Sequence, residues 1–225
     1  MTGQTTTFAL VNRTGSADAY AYITGLSLNN ANKPLFIQAD GSTVYNPASP
    51  SSTLQPLAAD VAISLGQPGS TRNITVPRIA GGRVWFVVGG RLTFLLNPGP
   101  AIVEPSVTNT SDANYNLTWG FCEFTFNADQ LFVNISYVDF VALPIALNLR
   151  NRQGTEQVVQ GLANGGLDAV VGKLQEQAAK DGAGWDQLVV KGPNGANLRA
   201  LSPNAARVMN GSLFEGYYQA YVDQV

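Results

Sequence analysis

Short apolar runs separated by turn-forming residues follow one another through most of the chain, and this succession most constrains the fold. Strand-like runs cover residues 6–12, 19–26, 72–79, 82–90 and 91–96. Clusters of Gly, Pro, Asn and Ser separate these runs and indicate turns and exposed loops. Many short strands with frequent turn signals are typical of a β-barrel or β-sandwich. Because 225 residues can bury a sizeable core, we predict a mainly β protein.

Several local signals refine this prediction. The pair Gly89-Gly90 predicts a hairpin turn between two of the strand-like runs. Further along the chain, one helical stripe is followed by Gly182, which suits a helix C-cap. That stripe consists of Leu167, Val170, Val171, Leu174 and Ala178. Ser202, followed by Pro203, predicts the start of a second helix.

The change from strand-like to mixed patterns after Arg150 predicts two domains. Residues 1–150 are expected to form a β domain, and residues 151–225 a smaller mixed α/β domain. Within the second domain, residues 185–190 read as a strand and residues 191–195 as a turn.

Charge and hydropathy exclude several classes of partner. The net charge is −2 and only 12% of residues are charged, without any basic run. Nucleic acid and anionic membrane surfaces are therefore not expected as partners. No apolar run approaches the ~20 residues of a membrane-spanning helix.

The chain contains no histidine and one cysteine, Cys122. A histidine-dependent triad, a histidine–metal site, an intrachain disulfide and a cysteine-rich zinc site are thereby excluded. We expect no metal and no cofactor, and we interpret Cys122 as a small buried hydrophobic residue. Carboxylates are the leading candidates for acid–base chemistry.

Four of the fifteen acidic residues have apolar neighbours: Glu104, Glu123, Asp139 and Glu215. Glu123 and Asp139 are distinctive because they interrupt neighbouring strand-like runs, sixteen positions apart. Burying a carboxylate among apolar groups is costly unless it has a partner or a function. This pair is therefore the candidate catalytic site.

Two registers are open for these strands. With a tight turn at Ala128-Asp129, Glu123 faces Asn134, and the two carboxylates lie some 15 Å apart. With a wide loop over residues 128–134, Glu123 lies opposite Asp139, and their Cα atoms are about 4.5–5.5 Å apart. The wide loop would also expose the ring of Phe132. Local sequence patterns do not choose between the registers.

Glycoside hydrolysis uses such a pair of carboxyl groups. One protonated group donates its proton to the leaving oxygen. The other group, a carboxylate, either activates the attacking water or bonds to the sugar carbon. Inverting enzymes hold the two about 6.5–9.5 Å apart so that a water fits between them. An apolar surround raises the pKa of a carboxyl group, which keeps a proton available near neutral pH.

The segments "GGRVWFVVGGRLTFLLNPGP", "VEPSVTNTSDANYNLTWGFCEFTFN" and "LFVNISYVDFVALPIAL" resemble glycoside hydrolase family 64, the thaumatin-like endo-β-1,3-glucanases of the laminaripentaose-producing type. The resemblance is densest over residues 81–149. It implies that Glu123 is the general acid and Asp139 the general base of an inverting reaction on β-1,3-glucan, which releases oligosaccharides. It also implies a thaumatin-like β-barrel domain joined to a mixed α/β domain, with a glucan groove between them.

The same resemblance implies that Thr125, Asn127, Phe132 and Ser136 bind the sugar. The family has tryptophan at the position of Phe132 and threonine at that of Ser136. Phenylalanine still stacks on a sugar but offers less area and no N–H donor, which predicts weaker binding at that subsite.

Family members continue beyond the segment "FEGYYQAYVD", whereas this chain ends at Val225. Three interpretations are open: a truncated form, a natural short form, or a fragment completed by another chain. The family's further strands complete the barrel, so their loss would expose sheet edges, and residues 151–225 could form a domain that is shortened relative to the family. The start "MTGQTTTF" lacks the basic and apolar regions of a signal peptide, so we expect a secreted protein whose signal peptide has been removed. Six N-x-Ser/Thr sequons agree with secretion, although a chain so rich in Asn, Ser and Thr contains several by chance.

Two rival interpretations remain. The chain could be a non-catalytic β-glucan-binding or antifungal protein on a thaumatin-like scaffold, since "GRVW" at residues 82–85 also resembles that wider superfamily. It could also be a self-assembling structural protein with open sheet edges. Retention of both Glu123 and Asp139 favours an enzyme, because binding alone does not require the pair.

Overall fold

The structure, a computed structural model, describes residues 3–225. Residues 1–2, part of the start from which signal-peptide removal was inferred, lie outside the described range. In chain order the strands are β1 (Thr5–Val11), β2 (Ala19–Ser27), β3 (Lys33–Ile37), β4 (Val44–Tyr45), β5 (Gln55–Pro56), β6 (Ile63–Ser64), β7 (Thr71–Pro77), β8 (Ile79–Val88), β9 (Leu95–Asn97), β10 (Ala101–Val103), β11 (Thr118–Phe126), β12 (Leu131–Ile135), β13 (Phe140–Val141), β14 (Leu147–Arg150), β15 (Glu156–Val159), β16 (Val189–Lys191) and β17 (Asn197–Leu201). The helices are α1 (Gly166–Asp181), α2 (Pro203–Met209) and α3 (Gln219–Val222), with a 3₁₀ helix at Trp185–Leu188.

A central antiparallel sheet organises the molecule. Its strand order is β12-β11-β8-β2-β3-β4, and β6 pairs with β2. Strand β8 lies in the middle and pairs with both β11 and β2. Four smaller sheets surround it: β1-β7, β10-β9-β5, β13-β17-β16 and β14-β15. The mainly β prediction is therefore confirmed.

The middle of the central sheet is covered on both faces, which explains why its central strands are mostly apolar. Successive side chains of a strand point to opposite faces. On β8, Val84 belongs to one core while Trp85 and Val87 belong to the other. Neighbouring residues therefore pack in different layers.

The two cores differ in composition. The first core is aromatic, and Trp85 lies at its centre, with ring centroids 4.8 Å from Phe121 and 5.7 Å from Trp119. Phe140 packs against Trp119 at 4.9 Å. The second core is mostly aliphatic and lies between the central sheet and the β1-β7 pair; its members include Ile23, Ile63, Ile74, Val76, Val84 and Phe124.

A glycine makes room for the second core. A Cβ atom at Gly82 would lie only 2.6 Å from the ring of Phe124. That distance is far inside ordinary van der Waals contact. Gly82 on β8 therefore leaves room for the outer end of the Phe124 ring, which extends from β11 over the neighbouring strand.

The helix signals in the sequence are confirmed. Helix α1 ends at Gly182, which has φ 67° and donates its backbone N–H to Ala178 O at 2.8 Å. Helix α2 begins after Ser202, whose Oγ accepts a hydrogen bond from the N–H of Ala205 at 3.1 Å. These caps depend on neighbours three or four residues away, so a local sequence pattern predicts them.

Two other local predictions are wrong. Gly89-Gly90 does not join a hairpin, because β8 pairs with β2 and β11, whereas β9 pairs with β5 and β10. The run 185–190 is a 3₁₀ helix followed by β16 and not one strand. In the first case the partner strands β2, β11 and β5, which lie far away in sequence, decided the outcome.

The segment after Arg150 packs on the aromatic core. Strand β17 pairs with β13 and β16, and Leu188, Val190 and Leu201 belong to the first core. The division into domains at residue 150 stays a prediction. Within residues 3–225, none of the helices is both long and apolar enough to span a membrane.

Candidate active site

The hairpin β11–β12 has the tight register. Glu123 pairs with Asn134, Thr125 with Phe132, and Phe126 with Leu131. The wide loop over residues 128–134 is therefore wrong, and Glu123 does not face Asp139 across a ladder. Asn127 helps to close the turn, since its Oδ1 accepts the N–H groups of Asp129 and Gln130, each at 2.9 Å. A side chain that caps a tight turn favours this register over a wider loop.

The hairpin ends before it reaches Asp139. The separation of about 15 Å between the carboxylates of Glu123 and Asp139, which assumed a continuous ladder, therefore does not apply either. Strand β12 stops at Ile135, and the chain then crosses to β13, which pairs with β17. The backbone carbonyl of Asp139 accepts the N–H of Ser202 at 2.8 Å, and its side chain is exposed.

Phe140 fixes the position of this crossing segment. Its ring packs 4.9 Å from Trp119 and 5.9 Å from Phe121, both on β11. Every second side chain of a strand points to the same face, so β11 bears Trp119, Phe121 and Glu123 on one face. Phe140 therefore packs on the face of β11 that also bears Glu123, and Asp139 directly precedes it with an exposed side chain.

Glu123 lies in a cross-strand row with Arg83 of β8 and Asn134 of β12. Arg83 Nη2 lies 3.4 Å from Glu123 Oε1, and Asn134 Nδ2 lies 3.5 Å from Oε2. Both separations are at the long end for hydrogen bonds. The Glu123 side chain is 37% exposed, so its carboxyl group remains accessible to a ligand.

A second carboxylate joins this row. Glu104, which follows β10, forms a close ion pair with Arg83 Nη1. Burial raises the pKa of Glu104, and the opposing charge and hydrogen bond of Arg83 lower it. Glu104 was singled out in the sequence by its apolar neighbours, but Arg83 was missed. The signal that could have found it is a charge inside the apolar run "GGRVWFVV".

The sugar-binding residues that the resemblance implies lie on or beside the hairpin. Thr125 and Phe132 are cross-strand partners on the face of Glu123, and Phe132 is 56% exposed. Its exposure agrees with expectation, although it lies in a strand and not in a loop. Asn127 lies in the turn, and Ser136 is half-buried just after β12.

Two other residues with notable sequence positions lie away from this row. Cys122 points to the opposite face of β11, is buried, and has its pKa raised to about 12 by burial. This confirms that it is a buried hydrophobic residue. Glu215 is exposed near the end of the chain. Across residues 3–225, no group of three His, Cys, Asp or Glu side chains is arranged to hold a metal ion.

The fold and the site together define a histidine-free, mainly β protein whose candidate site centres on Glu123 and its polar row on one face of the central sheet. The sequence matches the model of the beta-1,3-glucanases of glycoside hydrolase family 64 over residues 4–225. The chain belongs to this family.

Two curated relatives are glucan endo-1,3-beta-glucosidases, from Cellulosimicrobium cellulans and from Arthrobacter sp. strain YCWD3. Each is 30% identical over 152 residues, which make up 68% of this chain and 26% of the relative. This chain thus spans about a quarter of the length of these curated relatives.

Solved structures share the fold. A laminaripentaose-producing beta-1,3-glucanase in complex with laminaritetraose is 27% identical, with a TM-score of 0.86 over 99% of this chain and 59% of that one. A family 64 laminaripentaose-producing beta-1,3-glucanase from Paenibacillus barengoltzii is 22% identical, with a TM-score of 0.68 over 91% and 49% of the two chains. The second likeness shows the fold alone.

Proposed function

We propose that this chain is a glycoside hydrolase that cleaves internal linkages of β-1,3-glucan, such as laminarin or cell-wall glucan, and releases oligosaccharides. The observation that carries the proposal is the accessible Glu123 on the face of β11 against which Phe140, the neighbour of Asp139, packs, in a chain of this family. The relative that binds laminaritetraose supports the substrate class.

In the proposed mechanism Glu123 is the general acid. Its proton goes to the glycosidic oxygen as the bond to the anomeric carbon breaks, and the bonding electron pair leaves with that oxygen. Asp139, as general base, takes a proton from the water whose oxygen bonds to the anomeric carbon from the opposite side. This sequence inverts the configuration at that carbon.

The polar row gives Glu123 its orientation. Arg83 and Asn134 approach different oxygens of its carboxyl group. Each oxygen is contacted from a different neighbouring strand, which restricts rotation of the carboxyl group. An acid must lie within hydrogen-bond reach of the leaving oxygen, so this restriction supports the proton transfer.

We place the sugar along the exposed part of the same hairpin. Phe132 offers an open ring for stacking against the C–H face of a glucose unit, and Thr125 lies directly across the ladder from it. Asn127 and Ser136 complete the proposed binding residues, although Asn127 Oδ1 is already engaged in the turn.

Digestion of laminarin followed by NMR of the first released anomer tests this proposal. Inversion of a β linkage is expected to give the α anomer before mutarotation. Early appearance of the β anomer would contradict the inverting assignment. If no reducing sugar appears at high protein concentration while glucan is still bound, the protein is a non-catalytic glucan-binding protein and the proposed enzyme activity is wrong.

We also propose that the β part has thaumatin-like architecture and that the protein is secreted. A polymeric cell-wall substrate lies outside the cell that degrades it, which supports secretion. A superposition of the central sheet on a thaumatin-fold protein tests the first proposal, and detection of the protein in culture medium of the source cells tests the second.

A further inference from the structure

Arg83 lies between two carboxylates and is held unequally by them. Its Nη1 pairs closely with Glu104, whereas Nη2 lies 3.4 Å from Glu123. The guanidinium group also lies over the Phe121 ring at 4.7 Å. Glu104 and Phe121 therefore determine the position of Arg83 more strongly than Glu123 does.

This arrangement raises a problem for the proposed mechanism. A cation close to a carboxyl group favours the ionised form, but a general acid needs its proton. Without Glu104, Arg83 would favour the ionised form of Glu123, which has no proton to donate. The close pairing with Glu104 supplies a compensating negative charge at the same place.

We propose that Glu104 is a positioning residue that neutralises and fixes Arg83, so that Glu123 keeps its proton until it is delivered to the glycosidic oxygen. The inference rests on the proposed function. During the reaction the proton passes from Glu123 to the leaving oxygen, and Glu123 becomes a carboxylate that Arg83 then contacts. Glu104 exchanges no proton in this step.

The charged groups near Glu123 come from several elements. Arg83 lies on β8 and Glu104 follows β10, whereas Leu131–Ile135 of β12 contains no titratable residue. Tyr137 and Asp139 lie in the segment that crosses after β12. Strand β17 brings Arg199, which lies over the Tyr115 and Trp119 rings at 5.4 and 5.5 Å, further along β11. Arg83 is the cation within ion-pair distance of Glu123 in the described part of the chain.

Burial raises the pKa of Glu104, and the charge of Arg83 and its hydrogen bond lower it. The contact with Arg83 therefore favours the charged carboxylate that this role requires. A residue that served only to fill space at this position would not need a carboxyl group.

The dependence of kcat/KM for laminarin on pH tests the proposal. In Glu104→Gln, the alkaline limb of the profile is expected to move to lower pH by about one unit, the low end of the effect of a nearby cation. Activity at pH 7 then falls several-fold, while activity on the acidic side stays close to wild type. In Glu104→Asp, which keeps the negative charge, the alkaline limb of the profile should lie at its wild-type pH.

Glu156→Gln is the matched control. It makes the same chemical change at an exposed position on β15, and it should leave the profile unchanged. If Glu104→Gln lowers activity by the same factor at every pH, Glu104 is only a structural residue and the proposal is wrong.

A second measurement does not depend on activity. The chain contains five glutamates, so labelling their carboxyl carbons with ¹³C gives a simple NMR spectrum. The Glu123 signal is identified by its loss in Glu123→Gln. Its titration midpoint is expected to be about one pH unit lower in Glu104→Gln than in wild type. An unchanged midpoint overturns the proposal even if the wild type proves inactive on laminarin, a result that would instead refute the proposed function.

A double variant separates the action through Arg83 from direct repulsion between the two glutamates. Arg83→Gln combined with Glu104→Gln removes both charges of the pair. The Glu123 midpoint should then lie within about 0.3 pH units of that in Arg83→Gln alone, because no cation is left for Glu104 to neutralise. A midpoint clearly lower than in Arg83→Gln alone would show direct repulsion and contradict the inference, and this variant also serves if Glu104→Gln alone does not fold.

Discussion

The two faces of strand β11 have opposite characters, although their residues alternate along one short segment. Cys122 is 3% exposed and belongs to the second core, whereas the side chain of its neighbour Glu123 is 37% exposed in a polar row. The β1-β7 pair covers the face of Cys122, and Phe8 of β1 packs 5.1 Å from Phe124. On the other face the aromatic core ends at Phe121 and leaves the next positions open.

Stability and proposed chemistry are therefore separated by the pleat of a single strand. Substitutions on the covered face should change the free energy of unfolding. Substitutions on the open face should change catalysis or binding and leave the fold intact.

The largest expected effect is on the open face. Glu123→Gln and Asp139→Asn should each lower laminarin turnover by roughly 10²–10⁴-fold, because each removes a group that transfers a proton. Turnover is measured by reducing-sugar release, and circular dichroism checks the fold. A variant that kept more than about a tenth of wild-type turnover would disprove the role of that residue.

On the covered face, Phe124→Ala should lower the free energy of unfolding by about 3–5 kcal/mol, since it removes a buried ring and leaves a cavity beside Gly82. Denaturant unfolding measures this change. Phe132→Ala is the matched control, because the same substitution at an exposed ring should leave stability within about 0.5 kcal/mol of wild type. Equal losses in both variants would contradict the separation of the faces.

Phe132 should affect glucan binding more modestly. Phe132→Ala is expected to weaken laminarin binding about tenfold, and Phe132→Trp to strengthen it, because the indole offers more stacking area and an N–H donor. Isothermal titration in the inactive Glu123→Gln background measures both affinities. Unchanged affinity in both variants would show that Phe132 does not belong to the glucan-binding site.

The smallest effect is the pH dependence contributed by Cys122. Burial raises the pKa of its thiol from an ordinary value of 9.0 to about 12, so the folded state favours the protonated form. This contribution is complete below about pH 9 and is lost as the pH rises from about 9 to about 12.

Denaturant unfolding at pH 8 and pH 10 measures the Cys122 contribution. Between these values the wild type should lose about 1 kcal/mol more stability than Cys122→Ala. Burial also raises the pKa of Tyr22 to about 12, but Tyr22 is present in both proteins and cancels in the comparison. Equal losses would show that the thiol ionises as readily in the folded chain as in the unfolded one.

The register of the β11–β12 hairpin shows where sequence reasoning reached its limit. Both a tight turn and a wide loop fitted the alternation of residues around Glu123. The tight turn was correct for the pairs up to Ile135, but neither alternative foresaw that the chain would then leave the sheet. The pairing of Phe140 with Leu201 draws this segment away, and those residues are too far apart in sequence for a local pattern to relate them.

The sequence by itself determined the features that depend on near neighbours. These are the mainly β class, the C-cap at Gly182, the N-cap at Ser202 and the burial of Cys122. Each follows from strand alternation or from a hydrogen bond that spans only a few residues.

Only the tertiary structure decided how the candidate site is assembled. Arg83 meets Glu104 and Glu123 because β8 lies beside β11 and because the chain after β10 passes close to both. The segment that contains Asp139 is held beside β11 because Phe140 packs against Trp119 and Phe121. Long-range strand pairing and core packing bring distant segments together, and their stabilities depend on every neighbouring layer and not on the pattern within any single segment.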